Sequence, residues 1–225
     1  DATDPRAFEL LGDLHFSEGR LGEAEEAYTH AMALSNGGGG GGGGGSDGPS
    51  LKLILNLGKT LLAAGKLSSA KGVYAAGCGV CPCASTWLGV GIATLREGGD
   101  LDGAEAALAE ANVLDHTNTK VWGYLCLVAL LGGRVAEAEQ ALGTAFRVQL
   151  TDASLLAELG KLFLEAGKWK HAEGSLRRAA KNGGGGGGAD VRLALGRALR
   201  EQNHLEGAKT EFRAAADGGG DKTLT

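Results

Sequence analysis

Three cysteines lie close together in the segment CGVCPC, as Cys78, Cys81 and Cys83. The C-x-x-C spacing is typical of metal ligands and of redox-active thiols. A structural zinc site needs four ligands, and the remaining cysteine, Cys126, is distant in the chain. No strand–helix–strand pattern of the thioredoxin type surrounds the cluster. We therefore expect cysteines with a structural role and no bound metal or cofactor, and keep a metal-binding or redox protein as an alternative.

The other residues that could support catalysis are dispersed. None of the five histidines has a serine or cysteine partner at a recognisable motif spacing, so nothing predicts a nucleophilic triad. Acidic residues such as Glu23, Glu25 and Glu26 are interpreted as solvated helix surface. The sequence predicts no enzyme. The histidines are His15, His30, His116, His171 and His204.

Composition disfavours three further classes: nucleic-acid-binding proteins, membrane-spanning proteins and secreted disulfide-rich proteins. The chain has 225 residues, of which 43% are hydrophobic and 22% charged, as in a folded protein. Its net charge of −5 gives no basic excess for a nucleic-acid partner. No apolar run approaches the roughly 20 residues of a membrane span. Four cysteines in a chain of this length do not form a secreted disulfide framework, so a reducing, intracellular setting is expected.

The elements that must position any site are helices. In residues 155–180, apolar side chains recur three or four residues apart on both sides of Gly167, which indicates two amphipathic helices. Small residues, Gly160 and Ala172, fall where the two helices approach most closely. One such helical hairpin cannot bury both of its faces, so copies are expected.

Six copies of this pattern follow one another, and apart from the first interval they are spaced about 34 residues apart, the period of a known helical repeat. Glycine runs interrupt them and are interpreted as flexible insertions in loops between repeats, or as stand-ins for residues of other identity. The turns inside the copies carry Gly or Asn where a helix C-terminus needs a left-handed residue. The predicted organisation is repeat one at 1–36, a glycine-rich insertion at 37–50, repeats two to five at 51–182, a glycine-rich loop at 183–188, repeat six at 189–217 and a tail at 218–225.

The order aromatic–x–x–Leu–Gly, then Ala, then aromatic or Leu, then Ala resembles the tetratricopeptide repeat family. It is carried, for example, by Phe8, Leu11, Gly12, Ala24 and Tyr28 in copy one. The resemblance implies an all-α fold, a superhelical solenoid of about six helix-turn-helix repeats. It also implies that the first helix of each repeat lines a concave groove that binds other proteins.

The resemblance further implies which residues face the groove. Its middle is apolar and its C-terminal end is basic, so we expect an amphipathic partner helix with acidic residues at one end. Alternatively, the curvature of the superhelix closes part of the apolar strip. The groove residues are Lys52, Leu55, Lys59, Leu62, Leu88, Ile92, Leu95, Tyr124, Leu127, Leu130, Lys161, Arg197 and Arg200.

Copies three to five are also similar to the C-terminal repeat array of an axonemal protein, chiefly in the segments AEAALAEANVLD and VWGYLCLVAL. This resemblance implies a non-enzymatic scaffold within a large assembly of the motile cilium or flagellum, at the central apparatus or among regulators of dynein. A co-chaperone or adaptor that captures a short peptide is an alternative. Glu9 and Asp13 disfavour it, because chaperone-binding arrays have Lys and Asn there.

Overall fold

The computed structural model describes residues 4–37, 48–183 and 188–218, and in these ranges the backbone forms twelve α-helices and no strand. Residues 38–47, 184–187 and 219–225, which contain most of the predicted insertion, loop and tail, lie outside the described residues. The helices are α1 Pro5–Ser17, α2 Leu21–Gly37, α3 Leu51–Ala63, α4 Leu67–Val80, α5 Ala84–Glu97, α6 Leu101–Leu114, α7 Thr119–Leu131, α8 Val135–Arg147, α9 Ala153–Glu165, α10 Trp169–Asn182, α11 Ala189–Glu201 and α12 Leu205–Gly218.

Consecutive helices pair into six antiparallel hairpins, α1 with α2 through α11 with α12. Three hairpins form a compact unit over Asp1–His116, and three form a second unit over Thr117–Thr225. The expected all-α solenoid of helix-turn-helix repeats is confirmed.

Each hairpin is held by one large side chain lying against a small residue. The small residue is the eighth of the first helix, and the large one follows sixteen residues later, or seventeen in the third hairpin. A Cβ added to Gly12 would lie 2.5 Å from the Tyr28 ring, and one added to Gly58 would lie 2.4 Å from the Tyr74 ring. The helix axes can therefore approach closely, near the lower end of the 8–10 Å packing range. The remaining glycine pairs are Gly91 with Leu108, Gly160 with Leu176, and Gly196 with Phe212. In the fourth hairpin the equivalent positions hold Cys126 and Leu142, which are both fully buried.

Cys126 is the exception in this series. Its side chain is fully buried, and its Sγ donates to the Ala138 carbonyl oxygen in the facing helix at 3.3 Å. Burial raises the pKa of this thiol to about 12, so Cys126 stays protonated and acts as a small packing residue.

The turns within the hairpins follow the sequence prediction. All six contain a residue with positive φ, such as Gly19 at 76° and Gly167 at 72°, and Asn203 takes this conformation at 63° in the last hairpin. Gly has no Cβ to clash in this region, and Asn tolerates it better than most residues. The sixth hairpin therefore closes in the same way as the others without glycine. The other turn glycines in this conformation are Gly65, Gly98, Gly99 and Gly133.

Side-chain oxygens set the starts of several helices. Asp4, Ser50, Asn118 and Asp152 each accept a hydrogen bond from a backbone N–H in the first turn. Such caps satisfy otherwise unpaired donors and add about 1 kcal/mol each. Because all six first helices begin in the same register, residues at equivalent positions can be compared from hairpin to hairpin.

The close approach in the fifth hairpin can be tested with two glycines of the second unit. A Cβ on Gly160 would lie 2.5 Å from Leu176 Cγ, whereas a Cβ on Gly143 would have no neighbour within 4 Å. We expect Gly160→Ala to lower the free energy of unfolding by about 1–3 kcal/mol, because the core must open. Gly143→Ala, the matched control, should raise it by about 0.5–1 kcal/mol through helix propensity. Urea unfolding followed by circular dichroism measures both, and equal effects of the two substitutions would contradict this packing.

Candidate partner-binding site

A pocket of about 550 Å³ opens on the second unit where the first helices of its last two hairpins, α9 and α11, lie side by side. Three predicted groove residues, Lys161, Arg197 and Arg200, line it, so the structure brings the basic end of the predicted groove together. The other lining residues are Leu164, Glu165, Trp169, Asp190, Leu193, Ala194 and Glu201.

Two of these cations are available for a partner. Lys161 and Arg197 are each the ninth residue of their first helix and are exposed. Within the described ranges, neither has a carboxylate within 4 Å. Arg200 differs, since its Nη2 lies 2.8 Å from Glu201 Oε1. The pocket therefore offers two cations that have no ion pair within the described residues, and Glu165 and Asp190 also line it.

The lining between these charges is apolar. Leu164 and Trp169 are half-buried, and Leu193 keeps 39% of its surface exposed. A concave surface with apolar lining and a few charged groups is the usual form of a recognition site. Because Leu193 is a large hydrophobic residue left open to solvent, covering it would be favourable. This arrangement can hold an apolar side chain and pair with a carboxylate beside it.

The predicted groove residues of the first unit are mostly engaged within the chain. Lys52 Nζ lies 2.8 Å from Asp13 Oδ2, and Lys59 Nζ lies 4.6 Å from the centroid of the Phe16 ring. Leu88 and Leu95 are each only 8% exposed. Leu55, Leu62 and Ile92 are half-buried, and the first two pack against the core of this unit.

In α7, Leu127 has no exposed surface, whereas Tyr124 and Leu130 are half-buried. Leu127, like Leu88 and Leu95, therefore packs in the interior, and none of these three predicted groove residues offers a surface to a partner. The ninth residue of the first helix is buried in α7 but exposed in α9 and α11, so side chains at equivalent helix positions differ in their exposure to solvent.

Sequence reasoning missed a polar network around Asp13. Its carboxylate accepts hydrogen bonds from Tyr28 Oη at 2.7 Å, Asn56 Nδ2 at 2.8 Å and Lys52 Nζ at 2.8 Å. Burial by itself would raise the pKa of Asp13, but Lys52, Tyr28 and Asn56 outweigh it and leave the pKa below its ordinary value. The network ties α1, α2 and α3 together. The available signal was the pair Asp13 and Lys52 in neighbouring repeats, since Lys52 is a predicted groove residue and Asp13 occupies the position in α1 that the groove residue Lys59 occupies in α3.

This network also bears on the peptide-capture alternative. In this chain Lys52 and Asn56 already bind a carboxylate, that of Asp13. A peptide C-terminus would have to displace it, which argues against a carboxylate receptor at this place.

The cysteine cluster lies at the junction of the second and third hairpins. Cys81 follows the end of α4, and Cys83 precedes α5, where its backbone N–H donates to Thr86 Oγ1 at 3.2 Å. Burial raises the pKa of Cys78, although a hydrogen bond to Thr86 partly offsets this. Nowhere in the described residues do three or more His, Cys, Asp or Glu residues come together to hold a metal ion. The zinc alternative gains no support there.

Comparison with known proteins decides the family. A family model described as the cilia and flagella-associated protein 70 C-terminal domain matches residues 1–223. The chain belongs to this family.

Two relatives carry the same name. Cilia- and flagella-associated protein 70 from Homo sapiens is 37% identical over 163 residues, covering 72% of this chain and 14% of the relative. The protein of that name from Macaca fascicularis is 44% identical over 110 residues, covering 49% of this chain and 11% of the relative. The chain therefore spans a small part of the length of either relative.

Solved structures share the fold. A thermophilic tetratricopeptide repeat protein from Thermus thermophilus superposes with a TM-score of 0.67 at 18% identity, covering 87% of this chain and 99% of that one. Among the helices described, none combines the length and the apolar character that crossing a membrane requires.

The Asp13 network predicts a pH-dependent contribution to stability. Because the pKa of folded Asp13 lies below the unfolded value of 3.8, its contribution is present above that pH and is lost as the pH falls through the lowered pKa. Asp13→Asn should cost about 1 kcal/mol at pH 7, a figure reduced for partial exposure, and almost nothing near pH 2. Urea unfolding at the two pH values measures this.

The matched control is Glu110→Gln, which removes an exposed carboxylate of α6 in the same unit. It should change stability little at either pH. An Asp13→Asn deficit of the same size at pH 7 and pH 2 would show that the network does not depend on the carboxylate charge.

Proposed function

We propose that this chain is a protein-interaction scaffold whose second unit binds a partner polypeptide in the pocket between α9 and α11. This proposal rests on one observation: Lys161 and Arg197 line the same pocket as the exposed Leu193, and neither forms an ion pair within the described residues. The fold and the family both support a scaffold. A site of this kind binds by covering apolar surface and by pairing charges.

The pocket indicates the chemistry of the partner segment. An apolar side chain would lie among Leu164, Trp169 and Leu193, and an acidic residue next to it would pair with Lys161 and Arg197. An amphipathic helix presents such side chains three or four residues apart on one face. Glu165 and Asp190, which also line the pocket, would repel a second acidic residue of the partner, so they restrict which segments fit.

We further propose that the partner belongs to a large assembly of the axoneme in a motile cilium or flagellum. The name shared by the human and macaque relatives supports this location. Within the axoneme, we favour the central apparatus or the components that regulate dynein. This proposal rests on the resemblance of repeats three to five to an axonemal array.

The proposal can be tested by reversing the two unpaired charges of the pocket. Lys161→Glu combined with Arg197→Glu should reduce axonemal incorporation of the full-length protein at least tenfold, because losing about 1.4 kcal/mol of binding free energy lowers affinity by that factor. The variant is expressed in ciliated cells that lack the endogenous protein. Quantitative mass spectrometry of isolated axonemes then measures the amount incorporated.

The matched control reverses two exposed cations of α12 in the same unit, Lys209→Glu with Arg213→Glu. This variant should incorporate like the wild type. Circular dichroism should show that both variants keep the helicity of the wild type. Normal incorporation of the pocket variant would refute the pocket as the partner site.

A further inference from the structure

The outward face of α10 is cationic, and the pocket does not use it. Ala172, Leu176 and Ala179 are buried against the rest of the unit. On the opposite side of the helix, at 100° per residue, the exposed positions are Lys170, Arg177, Arg178 and Lys181, which we call the α10 basic face.

These charges are not neutralised by their own helix. Glu173 is the one acidic residue of α10, and its carboxylate accepts from Arg177 Nε and from Gln202 Nε2, each at 2.8 Å. For Lys170 and Lys181, no carboxylate lies within 4 Å in the part of the chain that the structure describes. One cation of the basic face is thus paired, and at least two are open to a partner.

Arg178 is held in place without being neutralised. Its guanidinium carbon lies 3.7 Å from the centroid of the Phe146 ring of α8, and its Nη1 donates to the Gly174 carbonyl oxygen at 3.1 Å. A stacked arginine keeps its remaining donors pointing outward and loses less entropy when it binds a carboxylate.

The second helices of most other hairpins begin with a negative charge, unlike α10. Their first turns carry an acidic residue, such as Glu23 in α2, Asp102 in α6 and Glu137 in α8, whereas the first turn of α10 has none. The first unit, residues 1–116, has seven Lys or Arg and fifteen Asp or Glu, whereas residues 117–225 have fifteen Lys or Arg and twelve Asp or Glu.

The cations of the basic face also repel one another. Like charges three or four residues apart, as in Arg177, Arg178 and Lys181, destabilise a helix. The basic face therefore carries a folding cost that an anionic partner would offset.

We propose that the α10 basic face is a second interaction surface, separate from the α9–α11 pocket, and that it binds an acidic polypeptide segment such as a run of glutamates. We choose an acidic segment because negative side chains would pair with the positive charges of this face. Lys170 to Lys181 spans about 17 Å along the helix at 1.5 Å per residue, which an extended segment of five or six residues covers.

A polypeptide fits this surface better than a nucleic acid does. Sequence-independent binding of single strands combines a basic groove with aromatic side chains on which bases stack. Phe146, the ring beside this face, is already covered by Arg178.

The test measures fluorescence anisotropy of a labelled hexaglutamate peptide with the 225-residue chain at low and moderate salt. Hexaglutamate should bind, the affinity should fall as salt rises, and hexaglutamine should not bind. Lys170→Glu combined with Lys181→Glu should weaken binding at least tenfold. The matched control, Lys209→Glu with Arg213→Glu, should bind hexaglutamate like the wild type, because these two exposed cations lie on α12.

A milder pair, Lys170→Gln with Lys181→Gln, guards against misfolding and should give an intermediate loss with unchanged thermal unfolding. Equal binding by the charge-reversed α10 variant and the wild type would overturn the proposal. So would tighter binding of a six-nucleotide single strand than of hexaglutamate. Loss of binding only in the pocket variant, Lys161→Glu with Arg197→Glu, would assign the peptide to the pocket instead. None of these results bears on axonemal incorporation, so the two proposals can fail independently.

Discussion

The structure depends on one repeated contact, a large side chain lying where the facing helix has no room for a Cβ. Tyr28 on Gly12 and Phe212 on Gly196 represent it at the two ends of the chain. Because the small residue is always the eighth of its helix, the contact fixes both the distance between the helices and their rotation. The rotation decides which positions face neighbouring hairpins and which face solvent. Cys126 is the exception, since the same position of α7 accommodates a small side chain with a Cβ and a sulfur, and this side chain is fully buried.

The ninth residue of each first helix follows directly from this contact, and the chain uses it in several ways. Asp13 binds Lys52 and joins three helices, Lys59 lies over Phe16, and Leu127 is fully buried. In α9 and α11 the same position holds an exposed cation of the pocket, Lys161 or Arg197. One geometric position thus serves cohesion in α1, α3 and α7 and supplies the available cations of the pocket in α9 and α11. The family fixes the framework, and the choice of side chain at this position sets what each hairpin can bind.

Much of this could be predicted from the sequence. The repeats and the left-handed turn residues follow from spacing and residue type within each hairpin. The same is true of the helix positions of Lys161, Arg197 and Arg200, since each is set by the sequence of its own hairpin. The burial of Leu88, Leu95 and Leu127 could not be predicted in this way. It depends on how closely neighbouring hairpins pack, which residue type does not encode. The Asp13 network was missed for a related reason, since its partners Lys52 and Asn56 are about forty residues away in the chain. The α10 basic face required knowing that Glu173 was already engaged.

The α9–α11 pocket should contact a partner polypeptide in the assembled axoneme, and photo-crosslinking tests this most directly. A benzophenone amino acid replaces Leu193, which is 39% exposed in the pocket, or Val113, which is 79% exposed on α6 of the first unit. We predict that position 193 gives one discrete adduct, whose crosslinked partner peptide carries an apolar residue beside an acidic one. Position 113 should give no such adduct. Absence of an adduct at position 193 in axonemes that have incorporated the protein would contradict the account.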